Sequence, residues 1–209
     1  MILEIFSAVI ISAGLTFFGS KWIDFLYKMQ NSPLSFPEEI LSRSKFRKYF
    51  LAIIFFVCAV ILIKLPPQQF FFMMSAVFFL GLITCTDFEQ YVIFDRMILP
   101  FAVVGILAAI SLNFPLTDRI IAAVVGGGIF LLIAILTKGG IGGGDIKLVA
   151  VLGIWLGCEK LLNVVLFSCI FAGICAVILI LANKKDRRDF FAYGPYFTLT
   201  AIFFVCFRN

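Results

Sequence analysis

Long apolar runs separated by short polar segments follow one another along the whole chain. The eight runs span residues 2–18, 49–65, 70–84, 97–112, 119–137, 146–157, 161–182 and 191–207. Several approach the roughly 20 apolar residues that an α-helix needs to cross the hydrocarbon core of a bilayer. The pattern predicts an all-α, polytopic integral membrane protein with about eight transmembrane helices, built as a single membrane-embedded domain over residues 1–209.

Composition and charge support this prediction and give it an orientation. Hydrophobic residues make up 63% of the chain and charged residues 14%, unlike soluble globular proteins. Lys and Arg resist translocation, so they concentrate in cytoplasmic loops. We therefore expect an outside N-terminus, with loops 85–96 and 138–145 at the cytoplasmic face. The net charge of +5 then reflects topology and attraction to anionic lipid, and it does not require nucleic acid as a partner. Only four of the 17 basic residues then lie outside, Lys64, Arg119, Lys160 and Arg208.

The absence of histidine excludes several kinds of site. Ser-His and Cys-His nucleophilic mechanisms and the usual zinc-protease helix all need this residue. The six cysteines form no CxxC pair and lie mostly within apolar runs, so we interpret them as small buried hydrophobic residues. We expect no metal and no cofactor. The 12 carboxylates remain as candidates, although most fit solvated loops or helix ends, as Asp118 fits a helix N-cap.

Two acidic groups stand out among these carboxylates. Asp87, Glu89 and Asp95 lie in "CTDFEQYVIFDRMILP", between the third and fourth runs, and Asp145 follows the five glycines of residues 139–144. The predicted topology puts both groups at one membrane face. Asp87 and Asp95 could instead end or cap helices, and Asp145 could be an N-cap. So many glycines, however, would let an extended peptide approach closely, and irregular backbone at membrane depth is tolerated where it lines a wet cavity.

A pair of carboxylates offers a specific chemistry. In a partly dehydrated site, two neighbouring carboxylates share one proton and titrate as a pair. The charged member can take a proton from attacking water, and the protonated member can bond the developing oxyanion and assist the leaving amine. The pair Asp87 and Asp145 therefore predicts an aspartic protease at a membrane interface.

The motifs around both aspartates resemble those of the type IV prepilin peptidases, a family of GxGD intramembrane aspartyl proteases. The Gly-x-Gly-Asp element stands in "GIGGGDIKLVAVLGIWLG", and the matching positions include Gly142, Gly144, Asp145, Lys147 and Leu148. In the first motif the matching positions are Asp87, Ile93, Asp95 and Pro100, with Phe94 where the family has proline. Weaker matches are "YGPYF" near the C-terminus and "GSKWIDFLYK" near the N-terminus.

The resemblance implies a function and a set of site residues. Asp87 and Asp145 correspond to the catalytic pair, and the substrate would be the leader peptide of a type IV prepilin or type II secretion pseudopilin. Cleavage would occur at the cytoplasmic side of a bacterial or archaeal inner membrane. We expect substrate contacts from Gly142, Gly144 and Lys147. Glu89 and Asp95 could attract a basic leader, or could simply be solvated loop acids.

One departure from the family concerns the loop between the first two helices. Bifunctional members also methylate the new N-terminus and carry a long insert with paired CxxC motifs here. Residues 28–48 form a short basic loop without cysteine, so we expect leader cleavage without efficient N-methylation. The basic cluster at residues 43–48 would anchor the loop at anionic lipid.

Three other interpretations stay open at this point. A small ion-coupled transporter could use Asp87 and Asp145 as a cation site beside a broken helix. A non-catalytic assembly factor would not need either acid. A presenilin-like protease also uses Gly-x-Gly-Asp, but the pattern from Asp87 to Pro100 favours the prepilin group.

Overall fold

The structure, a computed structural model, describes residues 2–29, 34–182 and 193–207. The described residues form helices and turns without strands, so the all-α prediction is confirmed. The basic segment at residues 183–190 lies outside the described residues. The helices are α1 (Ile2–Lys28), α2 (Ile40–Arg43), α3 (Arg47–Leu62), α4 (Pro67–Gln90), α5 (Asp95–Ser111), α6 (Leu116–Leu136), α7 (Gly143–Leu181) and α8 (Gly194–Cys206), with 3₁₀ turns at Pro37–Glu39 and Ser44–Phe46.

Several helices have the length and composition of membrane spans. Among the described residues these are α1, α4, α6 and α7, and α8 is a shorter apolar helix. Large apolar side chains such as Ile120, Val124 and Ile178 are exposed on the outer faces, where lipid tails replace water as solvent. The chain is therefore a polytopic membrane protein, and the number of eight spans stays a prediction.

Two helices run further than their apolar runs predict. α1 continues from Phe18 to Lys28, and α4 continues from Thr84 to Gln90. The extensions carry polar residues, which the hydrophobic pattern alone cannot place. As a result Asp87 lies inside a helix and not in a loop.

α4 is the central helix of the bundle. In its apolar stretch 78% of the residues are buried, against 22% in α1 and 17% in both α6 and α7. α1, α3, α5 and α8 pack around it, with aromatic contacts such as Phe78 against Phe55 and Phe79 against Phe101. This burial places the C-terminal end of α4, with its acidic residues, inside protein.

α7 contains 39 residues, about 58 Å at 1.5 Å per residue and nearly twice the thickness of a hydrocarbon core. It is interrupted at Gly157, whose φ of 77° and ψ of 178° are accessible only to glycine. The interruption divides α7 into two segments that correspond to the runs predicted at 146–157 and 161–182.

Two consecutive residues of α6 bind the backbone on either side of this interruption. The Cys158 N–H donates to the Asp118 carboxylate at 3.2 Å, so Asp118 caps the second segment of α7. Arg119 donates to the Ile154 carbonyl at 2.8 Å and to the Trp155 carbonyl, at the end of the first segment. The prediction that Asp118 caps its own helix is wrong, since α6 has no side-chain cap.

Small residues let α6 and α7 pack closely. A Cβ added at Gly153 would lie 2.5 Å from the Ala123 backbone nitrogen, and one at Gly127 would lie 2.9 Å from the Ala150 Cβ. Such close helix approach is typical of membrane interiors, where van der Waals packing drives helix association. The packing fixes the first segment of α7, which carries Asp145 at its start.

Candidate active site

Asp87 lies in the last turn of α4 and is 6% exposed. The helix ends at Gln90, and Tyr91 follows in the left-handed conformation with φ of 53°. The Tyr91 N–H closes the last turn by donating to the Asp87 carbonyl at 2.9 Å. The side chain of Asp87 therefore projects from regular helix, in a fixed position within the bundle.

Asp145 lies in the first turn of α7. Gly142 is the N-cap residue with extended backbone, and Gly143 and Gly144 are already helical. The Asp145 N–H donates to the Gly142 carbonyl at 3.1 Å. A carboxylate in the first turn interacts favourably with the positive end of the helix dipole.

The two carboxylates lie within electrostatic range of each other. Each has one buried oxygen, Oδ2 of Asp87 and Oδ1 of Asp145, that accepts no hydrogen bond. Among the described residues these are the only buried carboxylate oxygens in that state. A buried polar atom without a partner is costly and rare in native structures, and commonly marks a functional site. The fold therefore brings together Asp87 and Asp145, the two acids that the sequence analysis paired.

α8 contributes a close contact to this pair. Gly194, its first residue, lies so near to Asp87 that a Cβ added there would be 2.5 Å from Oδ2. Pro195 follows in the first turn, a position where proline needs no backbone N–H. The sequence identified "YGPYF" only as a weak resemblance. The Gly-Pro at a helix start was the available signal, but nothing local indicated that it meets Asp87.

The two acidic motifs also contact each other directly. Lys147 Nζ bonds both oxygens of Asp95, at 2.6 and 2.8 Å. A Cβ added at Gly144 would lie 3.0 Å from the Ile93 Cβ. Asp95 is in the first turn of α5 and makes no capping hydrogen bond there. This exposed ion pair joins the start of α5 to the start of α7 beside the aspartates.

Glu89 is not a solvated loop acid, so that prediction is wrong. It is 3% exposed and accepts hydrogen bonds from Arg47 Nε at 2.8 Å and Nη2 at 2.7 Å. Tyr27 donates a third at 3.0 Å, and Asp24 binds Arg47 Nη1 at 2.5 Å. Arg47 is buried too, so it cannot anchor the loop at lipid. Sequence analysis missed this cluster because Glu89 meets residues 42 and 62 positions away.

The part of the short loop that the structure describes is folded against the end of α4. The Gln90 side chain accepts from the Phe36 N–H at 2.8 Å and donates to the Phe36 carbonyl at 3.0 Å. Arg43 donates to the Glu89 carbonyl at 3.2 Å. The segment therefore supports the last turns of the helix that carries Asp87. Within the described residues no group of three or more His, Cys, Asp and Glu side chains could hold a metal ion.

Comparison with known proteins agrees with the motifs. Residues 74–177, which include both aspartates, match the type IV leader peptidase family. The prepilin leader peptidase/N-methyltransferase of Neisseria gonorrhoeae is 33% identical over 128 residues, 58% of this chain and 43% of that protein. The protein of the same name from Bacillus subtilis is 35% identical over 127 residues, 57% of this chain and 50% of that protein.

The aligned regions of these relatives are thus half of their length or less, and no solved structure matches the chain. The family match nevertheless covers the end of α4 and the start of α7, which carry the two neighbouring carboxylates. Together these findings show that the chain belongs to the type IV leader peptidase family.

Proposed function

We propose that the protein is a membrane aspartyl endopeptidase that removes leader peptides from type IV prepilins or type II secretion pseudopilins. One observation carries the proposal: two carboxylates from different helices lie within electrostatic range of each other, and each has a buried oxygen without a hydrogen-bond partner. The names of the relatives support a prepilin leader as substrate. Family membership does not favour the transporter alternative.

The geometry suggests how the reaction proceeds. Asp87 and Asp145 share one proton, because two neighbouring carboxylates in a partly dehydrated site cannot both ionise cheaply. The charged carboxylate takes a proton from a water molecule while the oxygen of that water bonds to the scissile carbonyl carbon. The protonated carboxylate bonds the oxyanion and then passes its proton to the leaving nitrogen as the C–N bond breaks. The free oxygens Oδ2 of Asp87 and Oδ1 of Asp145 are the positions at which water and the carbonyl oxygen would bind.

The residues around the pair would receive the substrate backbone. Gly142 and Gly144 have no side chain and so leave room for a peptide at the start of α7. Gly194 does the same at the start of α8. Asp95 and Lys147 form the exposed rim, where Asp95 can attract a basic leader. Glu89 is buried and its oxygens are bonded by Arg47 and Tyr27, so we do not propose that it contacts substrate.

A direct test uses the purified chain in detergent with a panel of prepilins and pseudopilins. Mass spectrometry detects leader loss, and the Asp145→Asn variant serves as the inactive control. We expect one family of substrates to be cut before its apolar helix. No cleavage of any member by correctly folded protein would contradict the proposal.

We further propose that cleavage proceeds without efficient N-methylation. The segment that packs on Gln90 is short, and residues 28–48 contain no cysteine. The same reaction, run with S-adenosylmethionine, tests this by the mass of the mature product. Stoichiometric addition of one methyl group by this chain would refute it.

The proposed site faces the cytoplasm of a bacterial or archaeal inner membrane. The basic-residue bias supports this orientation. Lys138 is exposed at the same end of the bundle as Asp145, so a cysteine at this position would be accessible to a labelling reagent on that side. We expect Lys64→Cys, but not Lys138→Cys, to gain labelling by an impermeant reagent added to intact cells. The reverse result would overturn the orientation.

A further inference from the structure

A concave site lies between the C-terminal end of α1 and residues 40–49. Its volume is about 710 Å³, and its walls come from two separate parts of the chain. α1 provides Ser20, Asp24 and Lys28, and the other wall includes Lys45 and Lys48. It is distinct from the aspartate site, whose residues do not line it.

The charges in this cavity are unbalanced. The Asp24 carboxylate is bound by Arg47, which also pairs with Glu89. Lys28, Lys45 and Lys48 are exposed, and none has an ion-pair partner in the part of the chain that the structure describes. Because one guanidinium is shared by two carboxylates, this cluster offsets at most one of the three ammonium groups, and the cavity keeps an excess of positive charge.

An anion would relieve this imbalance. Like charges that face one cavity repel one another. A bound anion attracts each ammonium group and so offsets this repulsion. Lysine is a common phosphate ligand, acting as a point charge with three donors. Ser44 and Tyr49 also line the cavity and can donate hydroxyl hydrogen bonds to phosphate oxygens.

The rim of the cavity identifies the kind of anion. Leu41 and Tyr49, which line it, are 85% and 71% exposed, and the neighbouring Phe46 is 76% exposed. An apolar rim beside a basic cavity, at the end of a membrane-spanning helix, suits a molecule with a charged head and apolar chains. Segments of this kind lie in the bilayer interface.

We propose that this cavity binds the phosphate headgroup of an anionic phospholipid. Lys28, Lys45 and Lys48 hold the phosphate, and the acyl chains lie along the exposed apolar side chains. The cluster predicted to anchor the loop is thereby divided: Arg43 and Arg47 bind protein, and the lysines bind lipid. The proposal does not depend on the protease function.

Binding is measured by native mass spectrometry of the full chain in detergent, titrated with phosphatidylglycerol or with phosphatidylcholine of the same acyl chains. We expect a preference for phosphatidylglycerol that falls roughly 100-fold in Lys28→Gln/Lys45→Gln/Lys48→Gln, since each interfacial lysine contributes about fivefold. The charge-keeping variant Lys28→Arg/Lys45→Arg/Lys48→Arg should retain most of the preference.

The matched control is Lys64→Gln/Lys138→Gln/Lys160→Gln, which removes the same charge elsewhere. An equal loss in the control would show non-specific surface attraction and overturn the site, as would full retention in the first variant. Inorganic phosphate is the second arm: displacement of the lipid by millimolar phosphate would assign the cavity to free anions. All replaced residues except Lys160 are exposed, and thermal unfolding of each variant checks that the fold persists.

Discussion

Asp87 and Glu89 are two residues apart at the end of α4, and both are buried, yet their surroundings differ completely. Asp87 has a side-chain oxygen that accepts no hydrogen bond. Both oxygens of Glu89 are bonded, by Arg47 and Tyr27. Burial alone therefore does not distinguish the acid proposed to be catalytic from the structural one. An unfilled hydrogen-bonding position does, because a stable core leaves few of them.

Helix geometry explains the difference. Two residues correspond to a rotation of about 200° around the helix axis, so the two side chains point to opposite sides of α4. Asp87 meets Gly194 of α8 and lies near Asp145 of α7. Glu89 meets α1 and α3 through Tyr27 and Arg47. One helix end thus combines the face that carries Asp87, the proposed reactive face, with a face that holds it in place through Glu89.

The largest effect on cleavage should come from Asp87 and Asp145, the two acids proposed to be catalytic. We expect Asp87→Asn and Asp145→Asn each to lower prepilin cleavage by roughly 10³-fold or more, because an amide can neither take a proton from water nor supply one. Stability should change little, since Asn keeps the size of the side chain. The double variant should be about as inactive as either single variant, because members of one catalytic unit do not act additively. Near-normal cleavage by Asp145→Asn at matched protein levels would end the aspartyl-protease proposal.

The structural acid should show the opposite behaviour. We expect Arg47→Met to destabilise the protein by about 3 kcal/mol, because it leaves Glu89 buried without its cation. Glu89→Gln should cost less, since an amide can still bond Arg47 and Tyr27. Chemical denaturation in detergent measures both. Arg47→Met/Glu89→Gln should be more stable than the sum of the single losses predicts. Additive losses would show that the pair is not energetically coupled.

A third prediction concerns the contact between α8 and the reactive face. Gly194→Ala should reduce kcat by roughly 100-fold, because its Cβ would displace the Asp87 carboxylate, and small displacements of reacting groups have effects of this size. Gly173→Ala is the matched control, since an added Cβ there meets no atom within 4 Å. Equal activity of the two variants would show that Gly194 does not position Asp87.

The sequence predicts some of these features and not others for a physical reason. The eight apolar runs are visible locally as continuous hydrophobic stretches. The two aspartates are visible as an acidic segment around Asp87 and as an acid after glycines at Asp145. The roles of Glu89, Asp118 and Gly194 depend on partners far along the chain. Asp118, for instance, caps a segment that begins 40 residues later. Only the packing of one helix on another brings such partners together, and a hydrophobic pattern does not specify it.

The smallest effects should come from the rim of the reactive face. Asp95 and Lys147 have side chains that are 60% and 53% exposed, and an exposed ion pair contributes about 0–1 kcal/mol to stability. Asp95→Asn should therefore leave folding and kcat close to normal and raise KM for a basic leader a few-fold, an effect that weakens with added salt. Lys147→Gln should lower KM, because it frees the Asp95 carboxylate for the leader. Steady-state cleavage of one prepilin at two salt concentrations separates these cases. If both variants raise KM equally, the ion pair itself shapes the rim, and Asp95 does not bind the leader directly.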